Sequence, residues 1–195
     1  MKQRSRITAL TAAGVLIAGL FSAPSASADP FAGGPPTSGY RADNAGHDYC
    51  TIVAWPLDWG TPFVDAMINL DNQTDMYDLY SGSCGSQTDV QAERSSNQYM
   101  PGTRGSYQCL TFVSARVCDT GRLEMNVNLV TDYTQRRKTF CHEIGHSIGF
   151  PHYTSAGAGV IAGENNDCMK SGTVSGEQWW IEYSQQHRDH ANIAY

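Results

Sequence analysis

Three of the six histidines in this 195-residue chain, His142, His146 and His152, fall within eleven residues, in the stretch HEIGHSIGFPH. A spacing of four sets the imidazoles of His142 and His146 on one face of a helix, one turn apart. Gly149 permits the left-handed turn that ends a helix, and His152, three residues on, can swing back beneath the same point. Three neutral imidazoles hold a divalent ion with a fourth position left to water, which is the pattern of a catalytic zinc site rather than a closed structural one. Glu143 follows the first ligand but is rotated away, so its carboxylate reaches the water more readily than the ion. Zinc lowers the pKa of its bound water to about 7, and a carboxylate so placed takes the proton as the water attacks a carbonyl, then passes it to the departing amine. A plain H-E-x-x-H arises by accident often enough. The extended form specifies five positions, and all five match.

The elements that would carry these residues can be read from periodicity. Tyr133, Phe140, Ile144 and Ile148 follow helical spacing after Asp132, so the motif is expected on the last turns of a helix that Gly149 stops. Before it, Leu123, Met125, Val127 and Leu129 alternate with Glu124, Asn126 and Asn128, the mark of a strand with one face on a core. That strand, 122–130, pairs in this reading with a strand over Cys109–Cys118 through a turn at Asp119-Thr120-Gly121. Further strands are expected at Cys50–Pro56 and Thr88–Ser95. A short helix is expected over Thr61–Leu70 with Pro62 at its first position, and loops over Asn72–Ser86, Ser96–Ser106 and Tyr153–Asp167. Ser175-Gly176-Glu177-Gln178 has capping-box form, ahead of a last helix with Trp180, Tyr183, His187 and Ala191 on one face.

The first 28 residues read as a secretory signal peptide: Lys2, Arg4 and Arg6, an apolar stretch from Ala9 to Ala23, and Ala26-Ser27-Ala28 as a cleavage site. Residues 29–49, rich in Gly, Pro and Ala, read as an extended arm, and 50–195 as one domain. Without the three leader cations, 10 Lys/Arg stand against 19 Asp/Glu, a formal charge of −9. Such a surface repels nucleic acid and anionic lipid. Nucleic acid is therefore not an expected partner, no second hydrophobic span suggests a membrane anchor, and the carbonyl chemistry above points to protein or peptide substrates for a secreted, extracellular monomer.

On these residues the chain resembles the metzincin metalloproteases, whose extended zinc motif is followed by a methionine in a tight turn. Met169, in DCMKSG, matches that turn. The resemblance implies an α+β fold with a twisted mixed sheet, an active-site helix and a C-terminal helix. It also implies zinc ligation by His142, His146 and His152, Glu143 as base, and one catalytic Zn2+. TDVQAE resembles a sheet strand of the matrixin-like branch. The function implied is a secreted zinc-dependent endopeptidase; the alternative is a non-catalytic zinc-containing binding or inhibitory protein on the same fold. Tyr153, after the third ligand, is a candidate for the oxyanion or a subsite.

The six cysteines of an exported chain suggest up to three disulfides, and no C-x-x-C is present. In the family the turn passes under the active-site helix, which implies a Cys141–Cys168 bridge. Cys109 and Cys118, on one expected strand, pair only if that strand bends; Cys50 with Cys84 follows by elimination. Asp71, Gln73 and Asp75 echo the start of a calcium loop but lack its glycine and distal glutamate, so structural Ca2+ has no support. His187 and His190 read as surface or packing residues. The strand over 122–130 is a candidate edge for an added peptide strand.

Overall fold

The central hairpin does not turn at its glycine. Gly121 looks like a turn residue, yet it lies inside a strand, because a Cβ there would run into the Tyr107 hydroxyl from the neighbouring strand. The chain reverses instead at Ala115-Arg116, with Arg116 at φ 65° and Ser114 paired to Val117. No glycine or asparagine marks that turn, so the strands expected at 109–118 and 122–130 run over Gly105–Ser114 and Val117–Asn126.

The computed structural model describes residues 41–96, 100–152, 167–174 and 181–195. The signal peptide, residues 29–40 of the arm, Tyr153 and the Ser175–Gln178 capping box fall outside them. The strands are β1 (Arg41–Ala42), β2 (Gly46–Thr51), β3 (Tyr77–Tyr80), β4 (Val90–Ser95), β5 (Gly105–Ser114) and β6 (Val117–Asn126). They form one mixed sheet in the order β1-β6-β4-β2-β3. β5 lies antiparallel on the other side of β6, and every other pairing is parallel. The extended arm thus ends paired in the sheet, and the strand expected at 50–56 ends at Thr51, leaving Val53 exposed. β3 replaces part of the loop expected over 72–86. Three of its four residues are exposed, so it shows no alternation of apolar and polar positions.

The helices are α1 (Leu57–Gln73), α2 (Tyr133–Ser147) and α3 (Gln185–Ala194). Pro62 lies inside α1, not at its first position. The N–H it lacks would have bonded the Asp58 carbonyl. Arg136 of α2 takes that carbonyl instead, at 2.8 Å, while its guanidinium also bonds the Thr131 carbonyl at 2.9 Å and lies 4.4 Å over Trp59. The two helices share an aromatic core in which Phe63 meets Phe140 at 5.1 Å and Tyr49 of the sheet at 5.3 Å. α3 begins at its cap Ser184, whose hydroxyl accepts from the His187 N–H, so Tyr183 precedes the helix rather than lying on it. Among the described residues no helix is long and apolar enough to cross a membrane.

Three disulfides join the elements: Cys50–Cys84, Cys109–Cys118 and Cys141–Cys168. Cys109 and Cys118 lie on adjacent strands, Cα atoms 5.8 Å apart, because the turn falls between them; no strand need bend.

Candidate metal centre

The sequence from Asp132 onward builds a helix with both ends specified. The Asp132 carboxylate caps the N-terminus, accepting from the Gln135 N–H at 2.8 Å. At the other end Gly149, at φ 96°, takes the left-handed conformation. Its N–H bonds the His146 carbonyl at 3.1 Å and the Phe150 N–H bonds the Gly145 carbonyl at 2.8 Å. This paired closure is the Schellman arrangement. It turns the Phe150 carbonyl back toward the helix, where it accepts from His146 Nδ1 at 2.8 Å.

His142 is oriented in the same manner from a different segment: its Nδ1 donates to the Cys168 carbonyl at 2.8 Å. A carbonyl only accepts, so both Nδ1 atoms carry hydrogen and both Nε2 atoms are bare when the rings are neutral. These bare nitrogens face each other at 3.2 Å. His152 completes the cluster, with ring centroids 4.9 Å from His142 and from His146. One ligand atom from each of the three lies within 4.8 Å of the others. Burial pushes the pKa of His146 down to about 4, that of His142 well below its ordinary value, and that of His152 down as well. Two lone pairs directed at one point, with protonation disfavoured, call for a cation between them. A tetrahedral zinc at 2.0–2.1 Å from each nitrogen needs them about 3.3 Å apart, so the donor set fits that ion.

Glu143 lines the same cleft, buried, and burial pushes its carboxyl up to about 8 with Lys138 acting in the opposite direction. Gly105, the first residue of β5, has no Cβ because its place is taken: such an atom would sit 2.8 Å from Glu143 Cγ and Oε1. The cleft, of about 390 Å³, runs between α2, the start of β5 and the segment after Met169.

Met169 is fully buried beneath the helix, where a Cβ on Gly145 would collide with its sulfur. Asp167 holds this turn: its carboxylate accepts from the Met169 N–H, from the Ser184 N–H and from His187 Nδ1. Asp167 and His187 are thus buried partners supporting the Met169 turn, and His190 is buried too, so of the two readings for these histidines packing holds. The position of Asp167, directly before Cys168-Met169, was the one sequence signal for it. The strand 122–130 is not an edge: β6 is paired on both sides, and the strand beside the cleft is β5. Asp71 and Gln73 end α1, where the Gln73 amide bonds Asn69 and the Tyr183 N–H.

Among solved structures, high choriolytic enzyme 1, a hatching-enzyme zinc protease from Oryzias latipes (medaka fish), is similar with a TM-score of 0.36 at 15% identity. The match covers 57% of this chain and 48% of that one, about half of the hatching enzyme's length. No family model matches the chain, and no curated protein does. The likeness is slight.

Proposed function

We propose that this protein is a secreted, zinc-dependent endopeptidase with the metzincin arrangement of site residues. The observation that carries the reading is the pair of bare Nε2 atoms 3.2 Å apart, with His152 beside them and Glu143 in the same cleft. His142, His146 and His152 would hold the ion, and zinc there would supply Lewis acidity toward water and the substrate carbonyl. The chain's own groups do the rest. β5 pairs with β6 on one side, and its first residues, Gly105 to Tyr107, line the cleft. An extended peptide laid along that strand gains backbone hydrogen bonds whatever its sequence. Glu143 takes a proton from the attacking water and returns it to the amine nitrogen as the C–N bond breaks. The buried supports of His142 and His146 keep both rings in the tautomer that leaves Nε2 available. Secretion is supported by the leader pattern and the three disulfides.

The test is hydrolysis of a denatured protein substrate by purified, oxidised protein, with zinc measured by elemental analysis. Glu143→Gln should keep one zinc per chain and lose at least about a hundredfold in kcat. His146→Ala should lose both metal and activity. A protein that binds zinc stoichiometrically and cuts nothing would instead be a non-catalytic binder, and hydrolysis untouched by chelation would overturn the metal reading.

A further inference from the structure

Lys138 lies on α2 one turn before His142 and lines the cleft, although only 3% of the residue is exposed. Its ammonium donates to the Lys170 carbonyl at 2.5 Å. Among the described residues no carboxylate lies within the 4.0 Å of an ion pair. Two acidic groups pull on it from beyond that distance, Glu143 first and then Asp167, and the Asp167 carboxylate already accepts from His187, Ser184 and Met169. Arg104 lines the same cleft, its Nε buried and without a partner. The two cations are near enough that Arg104 disfavours the charge on Lys138, and burial, the larger cause, brings the lysine down to about 8. A buried cation with no carboxylate in contact is costly. In a chain of formal charge −6, this buried lysine and the half-buried Arg104 line one cavity. A carboxylate entering from solvent would satisfy both.

We propose that the cleft selects peptides with a glutamate or aspartate side chain next to the bond to be cut, received by Lys138 and Arg104. This rests on the endopeptidase reading above. Lys138 is one helical turn from His142, so the side chain it receives belongs to a residue adjoining the bond rather than to a distant one.

The test uses zinc-loaded full-length protein and paired peptides that differ by Glu against Gln, placed on either side of a single cleavable bond. A charge-assisted contact of this kind gives about tenfold or more in kcat/KM for the Glu peptide on one side of the bond. Lys138→Met should bring that ratio close to one, and Lys138→Glu should invert it in favour of a Lys-bearing peptide. If Lys138 only ties α2 to Lys170, the variants lose stability while the ratio is unchanged, and the proposal fails. A wild-type ratio near one overturns it without any variant. If neither peptide is cut, the endopeptidase reading falls, yet fluorescence anisotropy of the same labelled pair on the zinc-loaded protein still decides the charge preference: tighter binding of the Glu peptide upholds it, equal binding refutes it.

Discussion

His47 shows how one buried side chain can set the pH range of the fold. Its Nε2 lies 3.1 Å from Ser147 Oγ, and that hydroxyl spends its proton on the Ile144 carbonyl at 2.6 Å. Nε2 must therefore donate, which leaves Nδ1 bare, buried and without a partner. Burial brings the pKa of His47 from 6.5 to about 4. Between those values the unfolded chain binds a proton that the native one refuses, so this residue's contribution to stability is full above pH 6.5 and declines as pH falls toward 4. His47→Gln should remove up to about one proton's worth of slope, about 1.4 kcal/mol per pH unit, in urea-unfolding free energies measured across that range. An identical slope in variant and wild type would refute this. At this scale the sequence was legible wherever residue type and spacing encode geometry, as with His142 and His146 one helical turn apart. It was silent on His47, Asp167 and Lys138, because burial comes from what packs over a residue and not from its neighbours in the chain.

Among the elements, the Met169 turn and α2 are joined more closely than any periodicity could tell. The Cys141–Cys168 bridge fixes the turn to the residue before the first histidine, and the Cys168 carbonyl orients that histidine. Replacing both cysteines by serine should therefore lower zinc affinity by about 10–100-fold, the effect of losing support behind a ligand. The same replacement at Cys109 and Cys118, across the β5–β6 hairpin, should lower the denaturation midpoint and leave zinc affinity within about threefold, because neither residue touches a ligand's support. Competition with a chromogenic chelator measures both; equal losses would show that the Cys141–Cys168 bridge has no special relation to the metal. Elements with a strong local code, such as α2 with its helical period after Asp132 and its glycine stop, were readable in advance. β3 and the Ala115-Arg116 turn were not. The first is an exposed edge strand held by β2, and the second lacks the residues that usually announce a reversal.

In the molecule as a whole, the two ends of the described chain meet at the foot of α2. The Tyr195 hydroxyl accepts from the Ala42 N–H of β1 at 2.8 Å and donates to the Ile148 carbonyl at 3.0 Å. Tyr195→Phe should leave both backbone groups without that partner and cost about 1–3 kcal/mol, read as a lower urea midpoint with unchanged zinc stoichiometry. A midpoint equal to wild type would mean that water replaces the hydroxyl at no cost. The mixed sheet beneath the helices was legible only as a class, since strand order is a long-range property that no local pattern records. His187, which braces Asp167 beneath the site, follows His146 by 41 residues. A ribosome therefore delivers the three clustered histidines well before the brace that steadies them, and on a nascent chain that cluster stands on a loose footing until the carboxyl-terminal portion has been made.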